Sequence, residues 1–84
     1  MSKKEKLTER VLSIPNDLKW SEFTTFMGHY GYVVLDKKGG SSHCKFYNID
    51  SDTLINSCKP HNPKIVQRHI IEQTVDKLKE SGDL

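Results

Sequence analysis

A histidine, a lysine and a tyrosine stand at alternate positions of one β-prone run: His43, Lys45 and Tyr47. Successive side chains of a strand point to opposite faces, so these three share one face while Cys44 and Phe46 take the other. An imidazole with an ordinary pKa of about 6.5 takes or gives a proton at neutral pH. An ammonium beside it steadies negative charge on a phosphate, and a phenol adds a flat ring and a hydroxyl. Such a row can meet a phosphate and a base together.

The surroundings of the row are cationic. Lys37 and Lys38 precede it in a glycine-containing turn, and Ser41 and Ser42 enter it with hydroxyls that can hold a phosphate or orient His43. No acidic residue occurs from position 37 to 49, nor from 53 to 71, where Lys59, His61, Lys64, Arg68 and His69 stand. The whole chain has thirteen Lys/Arg against eleven Asp/Glu, a net charge of +2. That excludes a histone-like polycation and leaves two positive segments suited to a local anionic ligand, or to plain solvation. His61, after Pro60, is the candidate for a second proton-transfer or phosphate-binding group. Lys59, Lys64 and Arg68 are candidate phosphate contacts. His29 reads as a surface or helix-end histidine and His69 as a solvated one.

Metal chemistry is not expected. A two-metal nuclease needs paired carboxylates, and the cationic segments contain none. His43 and Cys44 are consecutive and face opposite ways, which leaves Cys44, Cys58 and His61 without a C-x-x-C pair for zinc. The two cysteines are expected reduced.

The elements that must position these residues follow from periodicity. Ser2 and Glu5 have capping-box spacing. Leu7, Val11 and Ile14 line one face of a short helix that Pro15 ends. Trp20, Phe23, Met27 and Tyr30 form the stripe of a second helix, and Gly31 suits a left-handed C-terminal cap. Strands are predicted over 32–36, 43–49 and 53–58, joined by the turn at 37–42 and by Asp50-Ser51-Asp52. A last helix is predicted from Lys64 to about Glu80, with Pro63 near its first turn and Val66, Ile70, Ile71, Val75 and Leu78 as its apolar arc.

Eighty-four residues make one domain. The expectation is an α+β fold, in the order α-α-β-β-β-α, with a three-stranded antiparallel sheet and its helices packed on one face. Residues 1–15 are an N-terminal helical extension and residues 16–80 the core. Hydrophobic content of 35%, charged content of 29% and a mean hydropathy of −0.64 fit a soluble domain with a small core. There is no apolar run of membrane-spanning length and no apolar stretch behind Met1-Ser-Lys-Lys-Glu-Lys, so a cytoplasmic location and no membrane partner are expected.

Gly39-Gly40-Ser41-Ser42-His43-Cys44-Lys45-Phe46, with Trp20-Ser21-Glu22 and Pro60-His61, resembles the HicA family, small toxins of bacterial and archaeal toxin–antitoxin pairs. The order of elements extends the resemblance from about Lys6 to Lys79. The resemblance implies a double-stranded-RNA-binding-like core, endoribonuclease activity that cleaves mRNA and blocks translation, no cofactor, and neutralisation by a HicB-like antitoxin. It also implies that activity depends on the histidine of the family's Gly-Ser-His motif, here His43. Two departures stand out: Ser41-Ser42 where the motif has one serine, and Cys44 where many members have a basic or apolar residue. The helix before Pro15 is absent from the shortest members.

RNA carries its own nucleophile, the 2′-hydroxyl. His43 would serve as general base or acid, with Lys45, Lys37 and Lys38 gripping the backbone. The alternatives are a non-catalytic RNA-binding module of the same fold and an interaction domain whose open sheet face receives a partner protein.

Overall fold

Residues 3–36, 43–60 and 65–84 are described by the computed structural model, positions 36 and 43 by their backbone alone. Helix α1 (Lys3–Leu12) has Glu5 in its first turn and Arg10 in its last, which suits the helix dipole. Val11 is fully buried, and Leu7 and Ile14 pack partly against the core. The helix closes when Ile14 turns left-handed, at φ 51°. Pro15 disfavours the helical region for the residue before it. A β-branched side chain in that conformation is strained. The Ile14 N–H donates to the Val11 carbonyl at 3.0 Å, and Arg68 Nε donates to the Ile14 carbonyl at 3.1 Å.

Helix α2 (Trp20–His29) begins where the Lys19 N–H donates to the Glu22 carboxylate at 3.2 Å. Glu22 also accepts from Arg10 Nε at 3.1 Å, which ties α2 to α1. Trp20, Phe23, Phe26 and Met27 are buried. Gly31, at φ 86°, reverses the chain after α2. A Cβ there would lie 3.3 Å from Asn48 Nδ2, so close approach as well as backbone conformation favours glycine.

Among the described residues the sheet has the order β1-β2-β3, with β1 (Tyr32–Asp36), β2 (His43–Asn48) and β3 (Thr53–Cys58) all antiparallel. Cys44 and Phe46 of β2 and Ile55 of β3 face the helices. Phe46 is 0% exposed and sits edge-on to Phe23, with centroids 5.6 Å apart, and beside Trp20 at 5.8 Å. Buried Asn48 joins the two ends of this unit. Its Nδ2 donates to the Tyr30 carbonyl at 3.0 Å, and its Oδ1 accepts from the Asp50 and Ser51 N–H groups at 3.0 and 3.2 Å. Ile49, predicted as strand, instead opens this turn and is 71% exposed.

The last helix starts later than its periodicity predicts. Helix α3 runs Arg68–Glu80, not from Lys64. Ile65 bridges to Lys19, the Val66 N–H donates to the Leu18 carbonyl at 2.8 Å, and Gln67 is extended. Val66 is buried as expected, but in this strand-like bridge against Leu18. Ile70, Ile71, Thr74, Val75 and Leu78 form the buried face of α3. Beyond it, Tyr32 OH donates to Asp83 Oδ2 at 2.9 Å, which fastens the segment after α3 to β1. The Ser2 cap and Pro63 lie outside the described residues. No helix among the described residues is long and apolar enough to cross a membrane.

Candidate functional site

The helices cover one face of the sheet, and the other face is open. Cross-strand register divides that open face into three rows. Val33 pairs with Tyr47, which pairs with Leu54; Leu35 pairs with Lys45, which pairs with Asn56; His43 pairs with Cys58. Directly opposed residues have Cβ atoms about 5 Å apart, and successive rows lie about 7 Å apart along the strands. By backbone register His43 stands at the strand parity of Lys45 and Tyr47.

Lys45 is exposed and forms no ion pair among the described residues. Tyr47 is half-buried, and its hydroxyl donates to Asp52 Oδ1 at 2.7 Å. That bond raises the phenol pKa, because ionisation would lose the donor and set two negative charges together. The ring is therefore neutral and held from one end. Asp52 reaches it from the β2–β3 turn at φ 51°, a conformation that Asp tolerates.

The His43 end of the sheet is where the cationic segments attach. The chain leaves β1 at Asp36, enters β2 at His43 and leaves β3 at Cys58; register places all three at that end. Segment 37–42 joins the first two of these points, and segment 59–64 follows the third. Lys37, Lys38, Ser41, Ser42, His61 and Lys64 themselves lie outside the described residues. Lys59 is half-buried just past β3.

Arg68 is not part of this face. It opens α3 on the helical side, where its guanidinium holds the Ile14 carbonyl. Cys44 is buried while Cys58 is exposed, and neither forms a disulfide. Cys44 thus faces the core, away from the row that carries Lys45. His29 ends α2 as expected but is half-buried, with Nδ1 shielded from solvent and unpartnered among the described residues. His69 is exposed on α3.

Two features of the face were missed in the sequence. Cys58 is the cross-strand partner of His43, a pairing that follows from counting outward from the Asp50-Ser51-Asp52 turn. Val33, Leu35 and Leu54 are 47%, 47% and 49% exposed, a signal carried by the alternation within their strands. The chain matches no family model, no curated protein and no solved structure.

Proposed function

We propose that this chain is a HicA-like toxin with a double-stranded-RNA-binding-like core, an endoribonuclease that cleaves mRNA and is neutralised by a HicB-like antitoxin. The observation that carries the reading is the register at one end of the sheet. It gathers the entry to β2 at His43 and the attachment points of both cationic segments, on a strand whose opposite face is core.

The chemistry needs three things: removal of the 2′-hydroxyl proton, stabilisation of the phosphorane charge, and a proton for the departing 5′-oxygen. His43 performs one of the proton transfers, a role typically worth about 10²–10⁴ in rate. Lys45, one row away, stabilises the dianionic phosphorane together with Lys37 and Lys38. His61 supplies the second proton transfer or a phosphate contact, and Ser41 and Ser42 fix the phosphate. The nucleophile belongs to the substrate, so the scheme requires no cofactor. A direct inhibitor covers His43 and presents carboxylates to Lys45 and Lys59.

Expression of wild type beside His43→Ala, with total RNA examined, tests the reading. Wild type is expected to arrest growth and fragment mRNA, and His43→Ala to do neither. Growth arrest that survives His43→Ala refutes a catalytic His43. Binding of intact RNA by wild type, with no cleavage, favours the non-catalytic RNA-binding module.

A further inference from the structure

Proton transfer and phosphate binding account for the rows of His43 and Lys45, but not for the third row. Val33, Tyr47 and Leu54 lie side by side across all three strands on the open face, with both aliphatic residues about half exposed. Leu35 adds a fourth apolar side chain beside Lys45. We infer that this row is a stacking platform for an unpaired nucleobase, so that the substrate is single-stranded or looped-out RNA rather than duplex. The inference rests on the reading of the face as an RNA site, and it does not depend on catalysis.

Three observations favour this occupant. First, the row spans only about 14 Å across the three strands, the scale of one or two planar bases, whereas a protein partner must extend well beyond it to bury roughly 800 Å². Second, the ammonium of Lys45 lies one row from the ring, which matches a base joined to a phosphate; an apolar peptide offers Lys45 no anion. Third, the hydroxyl of Tyr47 is committed to Asp52, which anchors the ring from its far end. A duplex has no use for the row, because its base faces are already stacked and it is recognised through phosphates and 2′-hydroxyls.

The test is equilibrium binding to a 2′-O-methyl RNA 12-mer, which cannot be cleaved at its modified positions, and to a hairpin of the same sequence. A 2-aminopurine in the single strand reports stacking. Wild type is expected to bind the single strand at least tenfold more tightly than the hairpin and to quench the 2-aminopurine. Tyr47→Leu should weaken single-strand binding about tenfold, within the range of one base–aromatic stack. Tyr47→Phe, which keeps the ring, should stay within about threefold of wild type. Leu54→Ser, at an exposed position, should weaken binding in the same direction, which separates loss of the platform from misfolding. Equal binding by Tyr47→Leu, equal or tighter binding of the hairpin, or no RNA binding at all overturns the inference. The two readings can fail separately. Tyr47-dependent binding without cleavage of unmodified RNA supports the platform and refutes the nuclease. Cleavage with unchanged binding by Tyr47→Leu does the reverse.

Discussion

Neighbouring residues of β2 should respond to substitution in opposite ways, and the contrast tests which side of the sheet His43 occupies. Phe46 is fully buried between Phe23 and Trp20, whereas Lys45 is exposed. Truncating a buried Phe to Ala costs about 3–5 kcal/mol. A chain of 84 residues has roughly 4–13 kcal/mol of stability in all, so Phe46→Ala can abolish folding, and Phe46→Leu is the better probe. It keeps most of the volume but loses ring area and the edge-on contact, a cost of about 1–2 kcal/mol. Lys45→Ala should lie within about 0.5 kcal/mol of wild type. Urea unfolding measures both, followed by far-ultraviolet circular dichroism and by the fluorescence of Trp20, the single tryptophan. A one-residue slip in register would exchange the faces of β2. A neutral Phe46→Leu together with a strongly destabilising Lys45→Ala would reveal that exchange, and would put His43 on the core side.

Other expectations follow from the same contacts. Asn48→Ala should cost roughly 2–3 kcal/mol in urea unfolding, because it strands the Tyr30 carbonyl and two turn N–H groups at once; a loss below about 0.5 kcal/mol would show that the turns hold without it. Tyr32 and Tyr47 both have raised phenol pKa values. For Tyr32 the cause is first burial and then its bond to Asp83, and for Tyr47 it is the bond to Asp52. The unfolded chain therefore ionises these phenols first, so their contribution to stability is complete below about pH 10 and is lost as pH rises through the folded values. Urea midpoints between pH 8 and 11 should fall more steeply for wild type than for Tyr32→Phe, and parallel curves would rule out this linkage.

Much of the frame is legible because local rules and tertiary packing agree. The Trp20, Phe23 and Met27 stripe, the glycine at 31 and the alternation of Cys44 and Phe46 against Lys45 and Tyr47 each have one solution that buries apolar area. The start of α3 does not. Periodicity carries a helix back through Val66, but the Lys19–Ile65 bridge claims that backbone from some 46 positions away in sequence, a pairing no local window contains. Leu18 and Phe26 escaped the predicted core for related reasons: Leu18 is buried by that bridge, and Phe26 widens the α2 stripe beyond a single row. Asn48 reads as an ordinary strand-end polar residue until the α2–β1 turn closes over it. At the site, the common strand parity of His43, Lys45 and Tyr47 is legible from alternation alone. Arg68 stands on the helical side because it belongs to α3, a placement that the predicted helix already carried.

The role proposed for His43 is one of the proton transfers in cleavage by the RNA's own 2′-hydroxyl. Its most direct test uses purified protein, EDTA, and two oligonucleotides that differ by a single 2′-deoxy substitution at the cleaved nucleotide. Wild type should cut the all-RNA strand to a 2′,3′-cyclic phosphate and leave the substituted strand intact, and His43→Ala should cut neither. Cleavage of the substituted strand, or undiminished cutting by His43→Ala, would contradict the mechanism.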